Sequence, residues 1–290
     1  MQHGRFDSLD AFLSGGVGRL GKGPISLLML EDEAACDATV AHHLGLGFGD
    51  VVVFADEGVE IAPRLAAQVH FVRTSLVAED AHARIVNALI PRLEGRWLHY
   101  GFNAEFLFFP FCESRTIRDM LTFMTDERRD SVLCYVIDLY AADLDAHPDG
   151  IDLENAHLDR SGYYAAPRLD DNGHPKERQL DFHGGIRWRH EELIPEEKRR
   201  IDRIALFRAC KGLELRPDHT FNDEEYNTYS CPWHNNMTAA IASFRAVKAL
   251  RRNPSTRWAV DNFMWHNSVR FEWSSRQLMD LGLMEPGQWF

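Results

Sequence analysis

Alternation of short β-rich runs with helical stretches is the feature that most narrows what this chain can fold into. Ile25-Ser26-Leu27-Leu28-Met29-Leu30 is an apolar run of strand length, closed by the acidic Glu31-Asp32-Glu33. Ala34 to Leu46 follows with good helix formers and no proline, and Gly45, Gly47 and Gly49 stop it. Val51-Val52-Val53-Phe54 is a second β-rich run, which completes a strand-helix-strand unit. Val69 to Val72 reads as a third strand and Trp97 to Tyr100 as a fourth. Between them Ala81, Ile85, Leu89 and Leu93 set an apolar stripe at spacing four on a helix that ends near Gly95. Parallel strands need crossovers of this length. The expected class is therefore α/β: a mainly parallel, Rossmann-like sheet with helices on both faces and an irregular C-terminal part. Ligands of such sheets bind beyond the C-terminal ends of the strands, which makes the acidic loops there the first candidates for a site.

The later chain is less regular. Thr116 to Glu127 reads as helix, and Ser131 to Tyr140 as a strand whose end carries Asp138, with Asp143 just beyond. From Asp145 to Glu197 the chain is rich in Asp, Gly, Pro and His, and only short regular pieces are expected in this long excursion, a kind of loop that usually covers a site. Beyond it, Arg203 to Arg208 reads as strand, Met237 to Arg252 as helix and Ser274 to Gly282 as a last short helix. No repeat or linker divides the 290 residues, a length one hydrophobic core can still serve, so a single domain over 1–290 is expected.

Composition removes several classes. Apolar residues at 45% and charged residues at 26% exclude a disordered chain. No window reaches about 18 apolar residues without a charge, so no transmembrane segment is expected. The start, MQHGRFDSLD, has neither the basic end nor the apolar stretch of a signal peptide, so the expected location is the cytoplasm. A net charge of −12 opposes nucleic acid as a partner. Cys36, Cys112, Cys134, Cys210 and Cys231 are odd in number and form no CxxC pair, which points to buried free thiols. The 14 histidines include no HExxH, against a zinc hydrolase.

Three local patterns carry less than they suggest. Gly16-Val17-Gly18-Arg19-Leu20-Gly21 fits GxGxxG but precedes the first strand, and Gly23 stands where a phosphate loop needs Ser or Thr, so a flexible lead-in is expected. His42 and His43 point about 100° apart on a helix and cannot both face one metal, which leaves packing or capping. Arg245, Lys248, Arg251 and Arg252 form a basic stripe opposite Met237, Ile241 and Phe244, read as a solvated face near a helix C-terminus.

The order of several blocks resembles family-two-like glycosyltransferases of the GT-A fold. Leu30-Glu31-Asp32-Glu33, Ala41-His42-His43-Leu44-Gly45-Leu46-Gly47-Phe48 and Val51 to Glu57 resemble that family's opening. Trp97-Leu98-His99-Tyr100-Gly101-Phe102-Asn103-Ala104-Glu105-Phe106-Leu107 resembles its Trp-strand-Asp-x-Asp-Glu-Phe-Leu block. His183-Gly184-Gly185-Ile186-Arg187, Asp202-Arg203-Ile204-Ala205-Leu206 and Cys231-Pro232-Trp233-His234 resemble its later blocks, in the same order. The resemblance spans residues 25 to 250 and implies transfer of a sugar from a nucleoside-diphosphate sugar to a glycan or other hydroxyl acceptor, as in polysaccharide biosynthesis. It makes 25–144 the nucleotide-sugar half and 145–290 the acceptor or lid half.

By the same resemblance Glu33, Asp56, Asn103, Arg187 and Arg203 are candidates for holding the nucleotide sugar. The two metal-binding aspartates of the family are here Phe102 and Ala104, whose side chains cannot hold Mn²⁺ or Mg²⁺. Either Glu105 with His234 holds an ion, or Arg187 and Arg203 neutralise the diphosphate without one, or the protein is a catalytically silent binding or scaffold module on this fold. An inverting transfer also needs a carboxylate to take the acceptor's proton. Asp138 and Asp181 are the candidates, beside the Asp223-Glu224-Glu225 cluster, with His219 in reserve.

Overall fold

The computed structural model describes residues 3–231 and 234–289. In chain order, the elements are β1 (Arg5–Phe6), α1 (Leu9–Ala11), β2 (Ile25–Leu30), α2 (Cys36–Gly45), β3 (Asp50–Ala55), α3 (Pro63–Ala66), β4 (His70–Arg73) and α4 (Ala81–Leu89). Then come β5 (Trp97–Phe102), β6 (Glu105–Phe108), α5 (Ile117–Asp126), β7 (Ser131–Asp138), β8 (His157–Asp159), β9 (Tyr164–Leu169), β10 (Pro175–His183) and α6 (Gly185–Arg189). The last are β11 (Asp202–Arg208), β12 (Ala239–Ser243), α7 (Arg245–Arg252), β13 (Ser268–Arg270) and α8 (Ser275–Asp280). The class is α/β with a mainly parallel sheet, as the strand-helix alternation requires.

The residues form two compact units, each discontinuous in sequence. The first holds residues up to Phe106, Ser114–Val132 and Ile204–Asn227. Its strands run in the order β1-β4-β3-β2-β5-β11. All pair in parallel except β11, which runs antiparallel to β5 with Leu206 opposite His99. All six residues of β2 and of β3 are buried, because a central parallel strand is covered on both faces and so reads as a nearly continuous apolar run, broken here only by Ser26 and Asp50. Leu28, Leu30, Val51, Val53 and Phe71 share one core cluster with Val40 of α2. At about 1.5 to 3 kcal/mol per buried large side chain, such clusters supply the main drive to fold. Thr116 and Asp119 close a capping box at the start of α5, where Asp119 accepts from the Thr116 N–H at 2.8 Å.

The second unit holds Leu107–Glu113, Leu133–Arg203 and the residues from Thr228 on. Here β12 pairs in parallel with β7, Ser243 opposite Asp138.

Four expectations change. The stretch expected as one helix over 237–252 is a buried strand, β12, followed by α7: alanines favour a helix locally, but small side chains also fit a strand buried against β7. The excursion over 145–197 contains an antiparallel hairpin of β9 and β10, its register shifting between Pro175 and Leu180, in which Asp181 lies opposite Ala166. The basic stripe is not a plain solvated face: Lys248 is buried, and Arg251 donates to the carbonyls of Pro148, Arg257 and Val260. The Gly-rich lead-in is ordered turns that seat Phe12 in the core, edge-on to Phe54 at 6.1 Å. His43 confirms packing: its Nδ1 lies 2.8 Å from the Thr39 carbonyl and its ring stacks on His99 at 5.0 Å. All five cysteines are free, with Cys36 and Cys134 buried. No helix among the described residues is long and apolar enough to cross a membrane.

Candidate functional site

The first unit's strand order has a consequence for ligands. After β2 the chain adds β3 and then β4 on one side, and returns to place β5 on the other. The order therefore reverses between β2 and β5. Loops that leave the C-terminal ends of two such strands diverge and open a crevice, which is where open α/β sheets take their ligands. At this point β2 gives way to Glu31-Asp32-Glu33 and β5 to Asn103-Ala104.

Asn103 is fully buried and ties the two loops together. Its Oδ1 accepts from the Glu31 N–H at 3.0 Å, and its Nδ2 donates to Asp32 Oδ1 at 2.7 Å and to the Ala34 carbonyl at 3.0 Å. Asp32 Oδ1 also accepts from the Ala34 N–H at 2.8 Å. Ala104 takes the left-handed region at φ 60°, and its N–H donates to Thr39 Oγ1. The loop after β2 is thus fixed by Asn103, while Glu33 stays exposed. Asp56 knits the next two loops: its Oδ2 accepts from Leu76 N–H at 3.0 Å and its carbonyl from Arg73.

These bonds bear directly on metal binding. Asn103 spends both ends of its amide on the loop after β2, and Glu105 is buried with Oε2 accepting from the Phe102 N–H at 3.1 Å. His234 lies in the other unit with Nδ1 beside the Asn235 carbonyl, and its neighbours Pro232 and Trp233 fall outside the described residues. No group of three His, Cys, Asp or Glu side chains among the described residues is arranged to hold a metal ion.

In the second unit, the end of β7 carries Asp138, 1% exposed. Its Oδ1 lies 3.3 Å from Arg187 Nε, and Arg187 also donates to the carbonyls of Arg200 and Lys198. Its Oδ2 has no hydrogen-bond partner among the described residues. A methyl group on Gly185 would stand 3.6 Å from that oxygen. Burial raises the Asp138 carboxyl above the usual range, Arg187 pulls it back, and the Asp159 charge adds to the rise. The Gly-Gly turn and the strand end, 46 residues apart in sequence, are thereby brought together.

Around this pair is a buried polar network that the sequence did not announce. Asp159 accepts from Tyr140 Oη at 2.5 Å, Trp265 Nε1 at 2.7 Å, and Arg189 through Nε at 2.8 Å and Nη2 at 3.2 Å. Tyr163 Oη donates to the Asp159 carbonyl at 3.0 Å. The side-chain partners of Asp159, namely Tyr140, Arg189 and Trp265, lie 19 to 106 residues away, with no local pattern to mark them.

The other candidates are placed as follows. Asp181 accepts from Arg168 Nε at 2.7 Å and stands 3.4 Å from Arg200, inside a network that also joins both arginines to Asp202. Arg203 is buried on β11. His219 lies 3.0 Å from Tyr100 Oη and packs on His82 at 4.5 Å, and Glu225 pairs with Arg129 at 2.6 Å.

No family model matches this chain, and no curated protein matches it. Among the solved structures that are similar to it in part are these two. S. aureus TarS, residues 1–349 in complex with UDP, is 12% identical with a TM-score of 0.26, over 40% of this chain and 35% of that one. The chain thus spans about a third of that structure's length. A protein from Bacillus anthracis described as a glucose-1-phosphate thymidylyltransferase, in complex with a sucrose, is 7% identical with a TM-score of 0.31, over 82% of this chain and 79% of that one. Both scores are too low for either likeness to bear on fold or activity.

Proposed function

We propose that this protein transfers a sugar from a nucleoside-diphosphate sugar to a hydroxyl acceptor of glycan type, in the manner of a cytoplasmic enzyme of polysaccharide biosynthesis. The observation that carries the reading is the reversal of strand order between β2 and β5, which sets the acidic Glu31-Asp32-Glu33 loop at a crevice. Carboxylates there suit the hydroxyl and N–H donors of a ribose and base. Glu33 takes that role; Asn103 and Asp56 hold the loops in place. In the second unit, Asp138 is the proton acceptor: the acceptor hydroxyl attacks the anomeric carbon, the bond from that carbon to the diphosphate breaks, and the proton passes to Oδ2. A carboxyl raised by burial is a better base near neutral pH than an exposed one. Arg187 orients Asp138, and Arg203 is the cation assigned to the diphosphate.

A silent binding module is the second reading, favoured by one specific observation: the positions that hold metal in the resembled family are Phe102 and Ala104, and Asn103 between them is fully bonded within the protein. A screen of UDP-, GDP- and dTDP-sugars, each with Mn²⁺, Mg²⁺ or EDTA, separates the two. Release of nucleotide from one donor, insensitive to EDTA, supports transfer; saturable binding without release supports the module; and no binding of any donor refutes both.

A further inference from the structure

We infer a second ligand site, for a small phosphate-bearing anion, at the opposite end of the first unit's sheet; it does not depend on the transferase reading. A cavity of about 280 Å³ lies at the starts of β2 and β5, lined by Lys22, Gly23, Arg96, Trp97, Arg118 and Asp126 among others. Ligand pockets run from about 300 Å³ upward, so this one has room for a pyrophosphate or a nucleoside monophosphate and little more. Six-residue strands at about 3.3 Å per residue separate it from the crevice by roughly 17 Å.

Its charge sets it apart on a chain of net −12. Neither Lys22 nor Arg118 has a carboxylate partner among the described residues. Arg96 forms the floor: Nη2 donates to the Gly23 carbonyl at 2.5 Å, and its buried Nε has no hydrogen-bond partner. Asp50 offsets part of the Arg96 charge, and Asp126 is the one carboxylate in the lining. The Arg118 guanidinium reaches in over Gly23, where any Cβ would stand 2.9 Å from its Nη2. An ammonium and a guanidinium left unpaired beside an unsatisfied Arg96 N–H match an oxyanion of two or more charges. Trp97, its Nε1 donating to Thr125 Oγ1 at 3.2 Å, is a fixed aromatic wall beside them, suited to a planar base.

The test is calorimetric titration of the full chain with inorganic pyrophosphate and, separately, with a nucleoside monophosphate. One saturable site is expected, weakened at least about tenfold in the Lys22→Ala/Arg118→Ala double variant, as fits the loss of charge-assisted bonds. It should tighten in Asp126→Asn and weaken with added salt. A nucleoside monophosphate that binds tighter than pyrophosphate, with the difference lost in Trp97→Leu, assigns the site to nucleotides; equal affinity assigns it to phosphate alone. Lys22 and Arg118 are exposed, and matching melting curves confirm that the double variant is folded. Absence of saturable binding overturns the proposal. So does binding unchanged in the double variant, and if that binding is lost in Arg203→Lys the phosphate belongs to the proposed transfer machinery instead.

Discussion

Gly184 and Gly185 offer the sharpest trial of how the Asp138 site is built, because the two adjacent glycines should respond very differently to the same methyl group. Gly184 sits at φ 150° and ψ −171°, a region that only glycine occupies readily. A Cβ there would stand 2.4 Å from Tyr163 Cδ1 and 2.8 Å from the Gly162 carbonyl, and backbone cannot swing aside as a flexible side chain can. Backbone strain of about 1 to 3 kcal/mol adds to an overlap of similar size. Gly184→Ala is therefore expected to lose more than about 3 kcal/mol. Gly185 has φ 62°, in the ordinary left-handed region, and a methyl there meets nothing closer than 3.5 Å. Gly185→Ala should lose only about 1 to 2 kcal/mol. Yet that methyl stands 3.6 Å from Asp138 Oδ2, in the space the acceptor hydroxyl needs, so turnover should fall far more than stability. Urea unfolding followed by circular dichroism gives both stabilities, and nucleotide release gives turnover. A Gly184→Ala protein as stable as the parent would refute the turn geometry; a stable, fully active Gly185→Ala would refute the role of Oδ2.

Three other perturbations follow from the same structure. Burial holds His43 down to about 3, whereas the unfolded chain titrates near 6.5. The unfolded state thus binds more protons between those values and stability falls as pH drops through them, by up to about 1.4 kcal/mol per unit from this residue alone. His43→Gln should flatten that part of the acid-unfolding profile, and an unchanged profile would contradict it. Asn103→Ala strips partners from the Glu31 N–H and the Ala34 carbonyl and should cost about 2 to 4 kcal/mol in urea unfolding, with donor binding weakened as the crevice loop loosens. Asp159→Ala leaves the largely buried Arg189 guanidinium without its carboxylate and should cost about 3 to 5 kcal/mol; a smaller loss than for Asn103→Ala would mean that solvent reaches the guanidinium.

How much of this was legible beforehand depended on the reach of the interaction. Ile25 to Leu30, Val51 to Phe54 and Trp97 to Tyr100 announced strands because burial on both faces selects mostly apolar runs, a local signal. Thr116 to Glu127 likewise read as helix, and the capping box of Thr116 and Asp119 fixes where it starts. The alanine-rich run from Ala239 misled because its helix preference is weak beside the ladder it completes with Cys134 to Asp138, a partner a hundred residues away. The β9–β10 hairpin hid in Asp, Gly and Pro because exposed strands carry no apolar signature: Tyr164, Ala165 and Leu169 are solvent-facing. At the site, Asp138 was visible as an acid at a strand end, but its bond to Arg187 and the Asp159 network join distant segments that no spacing rule connects. Asn103 was noticed for its place between Phe102 and Ala104, whereas its structural work on the Glu31 loop shows only in three dimensions.

The most direct measurement is nucleotide release and sugar transfer by the intact protein and by Asp138→Asn, across UDP-, GDP- and dTDP-sugars in EDTA. The expected result is release from one donor by the parent protein, with Asp138→Asn still binding that donor but slowed by two to four orders of magnitude, as loss of a general base gives. Equal release by both proteins, or no donor bound by either, would contradict the assignment of Asp138 and of the crevice between β2 and β5.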